Sequence, residues 1–78
     1  MTSITMELEK GETCYKVDVI ANVRKYGDEY EVGAYDLYFY GDEGFVRNEI
    51  KQNELEAEFF AQNDTDAIND LLIESYEG

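Results

Sequence analysis

The segment Thr13–Arg24, TCYKVDVIANVR, decides the fold because apolar and polar side chains alternate along most of its length. Alternation with a period of two predicts a strand with one buried face and one polar face. Ile20 is the exception, since it falls among the polar residues of the other parity. The segment therefore predicts a strand over residues 13–24 within an antiparallel sheet. The apolar residues that share one parity are Tyr15, Val17, Val19, Ala21 and Val23.

The segments on either side extend this pattern into a sheet. Residues 3–9 alternate in the same way and are followed by a glycine-containing turn, which predicts a hairpin with the strand over 13–24. A third strand is predicted over residues 29–40, with a change of phase at Gly33 that a β-bulge would explain. Residues 45–50 could add a short fourth strand after another turn of the same kind.

Helical spacing replaces the alternation in the C-terminal third of the chain. Helices are predicted over about 53–62 and 65–76, because apolar residues recur there at intervals of three and four. Asn53 with Glu56 fits a helix N-cap followed by a carboxylate at the third helical position. The predicted fold is α+β, a single domain over residues 1–78. An antiparallel sheet of three to four strands is followed by one or two C-terminal helices packed on one face.

Composition excludes most kinds of active site. The chain has 19 Asp and Glu residues against six Lys and Arg, a formal net charge of −13, and it contains no His. Cys14 is the one thiol; it has no imidazole to activate it, and structural zinc sites need more than one thiolate. Asp64 opens a segment like an EF-hand loop, but Asn69 and Ser75 stand where that loop requires Gly and Glu. We therefore predict a protein that is not an enzyme, with no catalytic residues, no metal and no cofactor.

Charge and hydropathy also predict where the protein works. A phosphate backbone repels a chain of this charge, so we expect no direct binding of nucleic acid. No apolar run approaches the roughly 18 residues that a membrane span needs, so we expect no membrane association. Residues 1–10 lack the basic start and apolar block of a signal peptide. These features predict a cytoplasmic protein whose cysteine is reduced.

The spacing of the acidic residues suggests a use for the charge. Carboxylates two apart on a strand or four apart on a helix lie about 5–7 Å apart, which is similar to neighbouring phosphates along a nucleic-acid strand. A net charge of −13 corresponds to roughly 22 Å of duplex DNA, and a domain of this length should be about 25–30 Å across. This density predicts a basic nucleic-acid-binding protein or ribonucleoprotein complex as the partner, with tyrosines as interface anchors. The candidate contact residues are Asp28, Glu29, Asp42, Glu43, Glu54, Glu58, Asp64, Asp66, Asp70, Glu74, Glu77, Tyr30, Tyr38 and Tyr40.

The layout of the chain resembles a known class of proteins. Strand hairpins are followed by residues 53–60, NELEAEFF, and then by residues 66–72, DAINDLL, an order that is similar to small phage and prophage proteins. In size and charge the chain resembles the phage-encoded anti-CRISPR proteins and other DNA-mimic inhibitors. The resemblance implies an inhibitor that binds the DNA- or guide-contacting surface of a host defence complex, with a CRISPR effector as the partner. An inhibitor of this kind would act in the cytoplasm of the host cell.

A second interpretation of the same sequence remains open. The chain could be a small structural or interaction module of a phage particle or host assembly, with its acidity serving solubility. An exposed edge strand over residues 3–9 could then support a homodimer by strand addition. This interpretation predicts self-association and binding that tolerates salt, whereas acidic mimicry predicts binding that weakens steeply as salt is added.

Overall fold

The computed structural model describes every residue from Met1 to Gly78 and confirms the α+β class. A four-stranded and a two-stranded antiparallel sheet precede two helices at the C-terminus. The elements are β1 (Thr2–Lys10), β2 (Thr13–Ala21), β3 (Val23–Tyr26), β4 (Glu29–Val32), β5 (Asp36–Gly41), β6 (Gly44–Phe45), α1 (Glu49–Gln62) and α2 (Thr65–Glu77).

The strand β2 organises the main sheet, whose order is β1-β2-β5-β6. Val17 of β2 lies opposite Met6 of β1 on one side and Phe39 of β5 on the other. The hairpin of β3 and β4 forms the small sheet, and its turn includes Gly27 at a φ of 61°. A left-handed conformation of this kind costs glycine little, because glycine has no Cβ to clash.

The core lies between the main sheet and the two helices. Phe39 of β5 packs edge-on against Phe59 of α1, with ring centroids 6.5 Å apart. Burying a side chain of this size contributes about 1.5–3 kcal/mol relative to leaving it exposed. Because the helices cover one face of the main sheet only, the other face is open to solvent. The buried residues are Leu8, Tyr15, Val17, Val19, Ala21, Val23, Phe39, Leu55, Phe59, Ile68 and Leu72.

Two predicted strands are each divided between the two sheets. The strand predicted over 13–24 is broken at Asn22, and the strand predicted over 29–40 is interrupted by residues 33–35. The two interruptions meet, since the Gly33 N–H donates to the Asn22 carbonyl oxygen at 2.9 Å. The bulge prediction at Gly33 is therefore wrong. The change of phase arises because the chain leaves the small sheet there and joins the main sheet as β5.

The predicted start of the first helix is wrong, and the predicted fourth strand is shorter than expected. The strand expected over 45–50 is limited to Gly44–Phe45, and the helix expected over 53–62 begins at Glu49. Asn48, not Asn53, is the N-cap, and its side-chain oxygen accepts from the Lys51 N–H at 3.1 Å. An N-cap of this type satisfies one of the four helix donors that otherwise lack a partner.

The second helix agrees with its prediction to within one residue at its C-terminal end. Asp64 is its N-cap and accepts from the Asp66 N–H at 3.3 Å. Asn63 ends α1 by donating its own backbone N–H to the Phe59 carbonyl oxygen at 2.9 Å. The short connection Asn63-Asp64 thus ends one helix and starts the next, as expected for residues that favour caps.

Candidate protein-binding surfaces

The acidic residues are exposed and almost entirely without cationic partners. No charged residue is buried; Asp18 and Glu58 are half-buried, and the other 17 acids are exposed. The one ion pair within 4 Å joins Lys10 Nζ to Glu54 Oε2 at 3.8 Å. Because Lys10 and Glu54 are both exposed, this pair contributes little. The net charge is therefore exposed to solvent and to any molecule that binds the surface.

The outer face of α2 carries a row of three carboxylates, Asp66, Asp70 and Glu74, which we name the acidic row. They recur every four residues, while Ile68 and Leu72 on the inner face are fully buried. Residues four apart on a helix have neighbouring side chains, so the row presents carboxylates about 5–6 Å apart. These three predicted contact residues are brought together by the structure.

Three other predicted carboxylates have partners inside the protein. Glu58 accepts a hydrogen bond from Gln62 Nε2 at 3.0 Å, and Glu54 pairs with Lys10 as described above. Glu77 accepts a hydrogen bond from the Tyr30 hydroxyl, which joins the end of α2 to β4. These side chains are less free to meet a partner than the acidic row.

The predicted turn carboxylates lie at two opposite ends of the main sheet. Asp42 and Glu43 form the tip of the β5–β6 turn, on the side where β2 begins. Asp28 and Glu29 lie at the β3–β4 turn, beyond the end of β2. All four are exposed, as is the helix cap Asp64. The predicted acids thus surround the protein and do not form one patch.

The three predicted tyrosines divide between the two faces. The Tyr30 ring packs edge-on against Tyr76 at 6.4 Å, and the hydrogen bond to Glu77 raises the pKa of its hydroxyl. Tyr30 therefore anchors α2 to the small sheet. Tyr38 and Tyr40 alternate with the buried Phe39, so their side chains project from the open face of the main sheet.

An aromatic patch, Tyr38, Tyr40 and Phe45, lies on this open face. The Phe45 ring centroid is 6.0 Å from that of Tyr38 and 5.5 Å from that of Tyr40. Sequence reasoning placed Phe45 in a possible strand over 45–50 but did not include it among the contact residues. The pairing of Tyr40 with Phe45 across the β5–β6 hairpin places the two on one face, and the closely spaced glycines around Asp42-Glu43 were the signal for that hairpin.

A shallow groove of about 400 Å³ lies beside the β5–β6 turn. Its lining includes Asp42, Arg47 and Lys51, and the Lys51 Nζ lies 5.8 Å from the centroid of the Tyr15 ring. No cysteine lines it, because Cys14 is exposed on the opposite face of its strand. The groove therefore has a lining of mixed charge.

The shape of the molecule changes the comparison with nucleic acid. The Cα atoms extend over 43 × 21 × 20 Å, so the protein is longer in one direction than the 25–30 Å expected from its length. A net charge of −13 over 43 Å is one charge per 3.3 Å. Duplex DNA carries one charge per ~1.7 Å and a single strand one per ~3.4 Å. The linear charge density is thus that of one nucleic-acid strand.

The edge strand β1 is partly occupied by helix side chains. Gln62 Nε2 donates to the Glu9 carbonyl oxygen at 2.9 Å, and Ser75 Oγ donates to the Ser3 carbonyl oxygen at 3.4 Å. Strand addition along the whole of β1 would have to replace both hydrogen bonds. A homodimer through this edge stays a prediction, and its formation would require the loss of these two hydrogen bonds.

Comparison of the chain with protein-family models, curated proteins and solved structures found no match. Neither helix combines the length and the apolar character that crossing a bilayer requires. No three acidic or cysteine side chains are grouped as the ligands of a metal ion would be.

Proposed function

We propose that this protein is a non-catalytic inhibitor that occupies a basic nucleic-acid-binding surface of a protein partner and blocks access of DNA or RNA to it. The observation that carries the proposal is that the carboxylates lack cationic partners. None of the 19 acidic side chains is buried, and one of them forms the single ion pair, which is exposed. An excess of unpaired like charge destabilises a compact state by self-repulsion. Binding of a basic partner reduces that repulsion, and the reduction favours formation of the complex.

The linear charge density supports the same proposal. The total charge, divided by the length of the long axis, is one charge per 3.3 Å, which is close to the spacing of charges along one nucleic-acid strand. Complementary charge also accelerates encounter with the partner, by an amount that falls as ionic strength rises. The resemblance to anti-CRISPR proteins gives the partner its class, a ribonucleoprotein effector of host defence. The protein would then act in the host cytoplasm.

The proposal is tested by competition on purified CRISPR effector complexes. Fluorescence anisotropy measures how much labelled target DNA each effector releases as the protein is added, between about 50 and 200 mM salt. We expect release at low salt that weakens steeply as salt is added. If the protein releases no DNA from any effector tested at low salt, the proposal is wrong.

A charge-reversal variant tests the mechanism within the same assay. Replacing Asp66, Asp70 and Glu74 by Lys changes the net charge by six units, from −13 to −7. We expect the variant to release far less DNA at low salt. The matched control replaces the exposed polar residues Asn53, Thr65 and Ser75 by Ala, which changes three helix residues but no charge. A folded triple-Lys variant with full activity would overturn electrostatic mimicry.

A further inference from the structure

The aromatic patch is a cluster of exposed rings that the folding of the chain does not explain. Tyr38, Tyr40 and Phe45 are each 39% exposed, and their rings contact one another on the open face of the main sheet. Single exposed apolar residues are normal on any protein, whereas rings clustered on one exposed face are a candidate interaction site. The hydroxyl groups of Tyr30 and Tyr35 donate hydrogen bonds within the chain. Those of the patch do not.

Carboxylates lie near the patch on the same face. Asp18 lies directly opposite Tyr38 in the register of β2 and β5, and its Oδ1 accepts a hydrogen bond from Thr5 Oγ1 at 3.1 Å. That hydrogen bond holds a half-buried carboxylate beside an exposed ring. In the next row Tyr40 lies opposite Lys16, with Glu7 on the far side of that lysine. The face is acidic overall, and its aromatic rings lie at one side of it.

We propose that the aromatic patch binds arginine side chains of the partner, with Asp18 as the pairing carboxylate. The inference rests on the proposed function and adds the residue type that the partner presents. A guanidinium group is planar, stacks on aromatic rings and pairs with a carboxylate through two parallel hydrogen bonds. The pairing of Asp18 with Tyr38 offers both contacts within one cross-strand distance. An ammonium group has no flat face to stack, so lysine gains less here.

The location of the patch assigns different tasks to the two faces of the protein. The acidic row lies on the outer face of α2, on the helix side, whereas the patch lies on the opposite side of the sheet. Charges at a distance from the contact change the rate of encounter more than the rate of dissociation. The aromatic patch should therefore set how long the complex lasts, and the acidic row how fast it forms.

Charge argues that the occupant is a basic protein and not a second copy of this chain. Each copy carries a net charge of −13. Two open faces brought together would place Glu7, Asp18 and Asp36 of one copy against the same acidic face of the other. Like charges at an interface oppose association, whereas arginine side chains neutralise the same carboxylates.

The probes are oligoarginine and oligolysine peptides of equal length, titrated at low salt and followed by amide NMR shifts. We expect the arginine peptide to bind more tightly, with the largest shifts in β2, β5 and β6. The double variant Tyr38→Ala/Tyr40→Ala should lose about two- to fivefold in affinity per ring for the arginine peptide. Its affinity for the lysine peptide should change less, so the ratio of the two affinities falls.

Two matched variants make the test specific. Leu71→Ala removes a side chain of nearly equal exposure, 41%, from a helix and should leave both affinities unchanged. Tyr40→Phe keeps the ring and should keep the preference for arginine. Sedimentation of the unmodified protein and the double variant reports on self-association. A dimer that is lost in the double variant would show that the patch is an interface between copies and would overturn the proposal.

The failure of this inference is distinguishable from that of the proposed function. Equal affinity for the two peptides, failure of the arginine peptide alone to bind, or shifts confined to α1 and α2 would overturn the arginine site. The release of DNA from effectors would be unaffected by those outcomes, because acidic mimicry requires cations but not arginine in particular. If the protein prefers the arginine peptide but releases no DNA from the effectors, the proposed function alone is overturned.

Discussion

The last turn of α2 carries carboxylates where a helix favours cations. Glu74 lies in the final turn of α2, and no basic residue accompanies it. A negative charge there is repelled by the partial negative charge of the helix C-terminus. Asp70 lies four residues before Glu74, so the two like charges also repel each other. Replacing Glu74 by Lys should therefore stabilise the protein.

The size of the effect follows from these two interactions. Reversing a charge at a helix end replaces an unfavourable interaction of about 0.3–1 kcal/mol by a favourable one of the same order. The contact with Asp70 changes from a repulsion of about 0.2–0.5 kcal/mol to a similar attraction. After allowing for solvent screening we expect about 1–2 kcal/mol at low salt, which is roughly 4–16 °C in Tm for a domain of this size.

A matched variant separates this local effect from general relief of charge. Asp66→Lys changes the net charge by the same two units but lies in the first turn of the same helix, where a carboxylate is favoured. Its Tm should fall or stay unchanged while that of Glu74→Lys rises. Thermal unfolding followed by circular dichroism, at low salt and again near 1 M salt, measures both, and the difference should shrink at high salt.

The result that would refute this reasoning is an equal rise in Tm for the two variants. Equal rises would mean that total charge alone governs stability and that the helix end is irrelevant. If Glu74→Lys is more stable but less able to release DNA from an effector, then the carboxylate costs stability and serves binding. That combination is expected for a functional surface.

Three further predictions follow from the core, a hydrogen bond and a cap. Phe59→Ala removes a fully buried ring and should destabilise the protein by about 3–5 kcal/mol, most of the stability of so small a domain, which urea titration would show. Tyr30→Phe tests the raised hydroxyl pKa: a group whose pKa is raised on folding contributes stability below its unfolded value, near 10, and loses it as pH rises through the folded value. Stability should thus decline less steeply above about pH 10 in this variant, which lacks the hydrogen bond to Glu77, and an unchanged decline would rule that bond out as the cause. Asn48→Ala should cost about 0.5–2 kcal/mol of helix capping, while Asn53→Ala should cost nothing, and the reverse order in Tm would contradict the assignment of the cap.

The buried face of the main sheet could be predicted because its signal is local. Val17 and Val19 are completely buried, as their parity in the alternating segment required. A strand exposes its side chains alternately whatever its neighbours are, so burial of every second residue is visible in the sequence alone. The four-residue spacing of Ile68 and Leu72 predicted the inner face of α2 for the same reason.

The division into two sheets could not be predicted, because it depends on a contact between distant residues. The hydrogen bond from Gly33 to Asn22 lies at the boundary between the two sheets, where β2 is followed by β3 and β4 is followed by β5. The change of phase marked Gly33 in the sequence, but nothing in the alternating segment around Asn22 identified it as the partner. The start of α1 was missed for a similar reason, since Asn48 and Asn53 are both acceptable caps. Gln52 supports the earlier one by donating to the Val46 carbonyl oxygen at 2.7 Å.

The sequence by itself determined how much charge this protein carries and that most of it could not be neutralised by pairing, since six cations cannot pair 19 acids. Tertiary structure decided where the charge and the aromatic rings meet. Tyr30 is tied to the end of α2, while Tyr38 and Tyr40 join Phe45 on the face that the helices leave uncovered. The physical reason is that parity fixes which side chains share a face, but only the packing of the helices decides which of the two faces meets solvent.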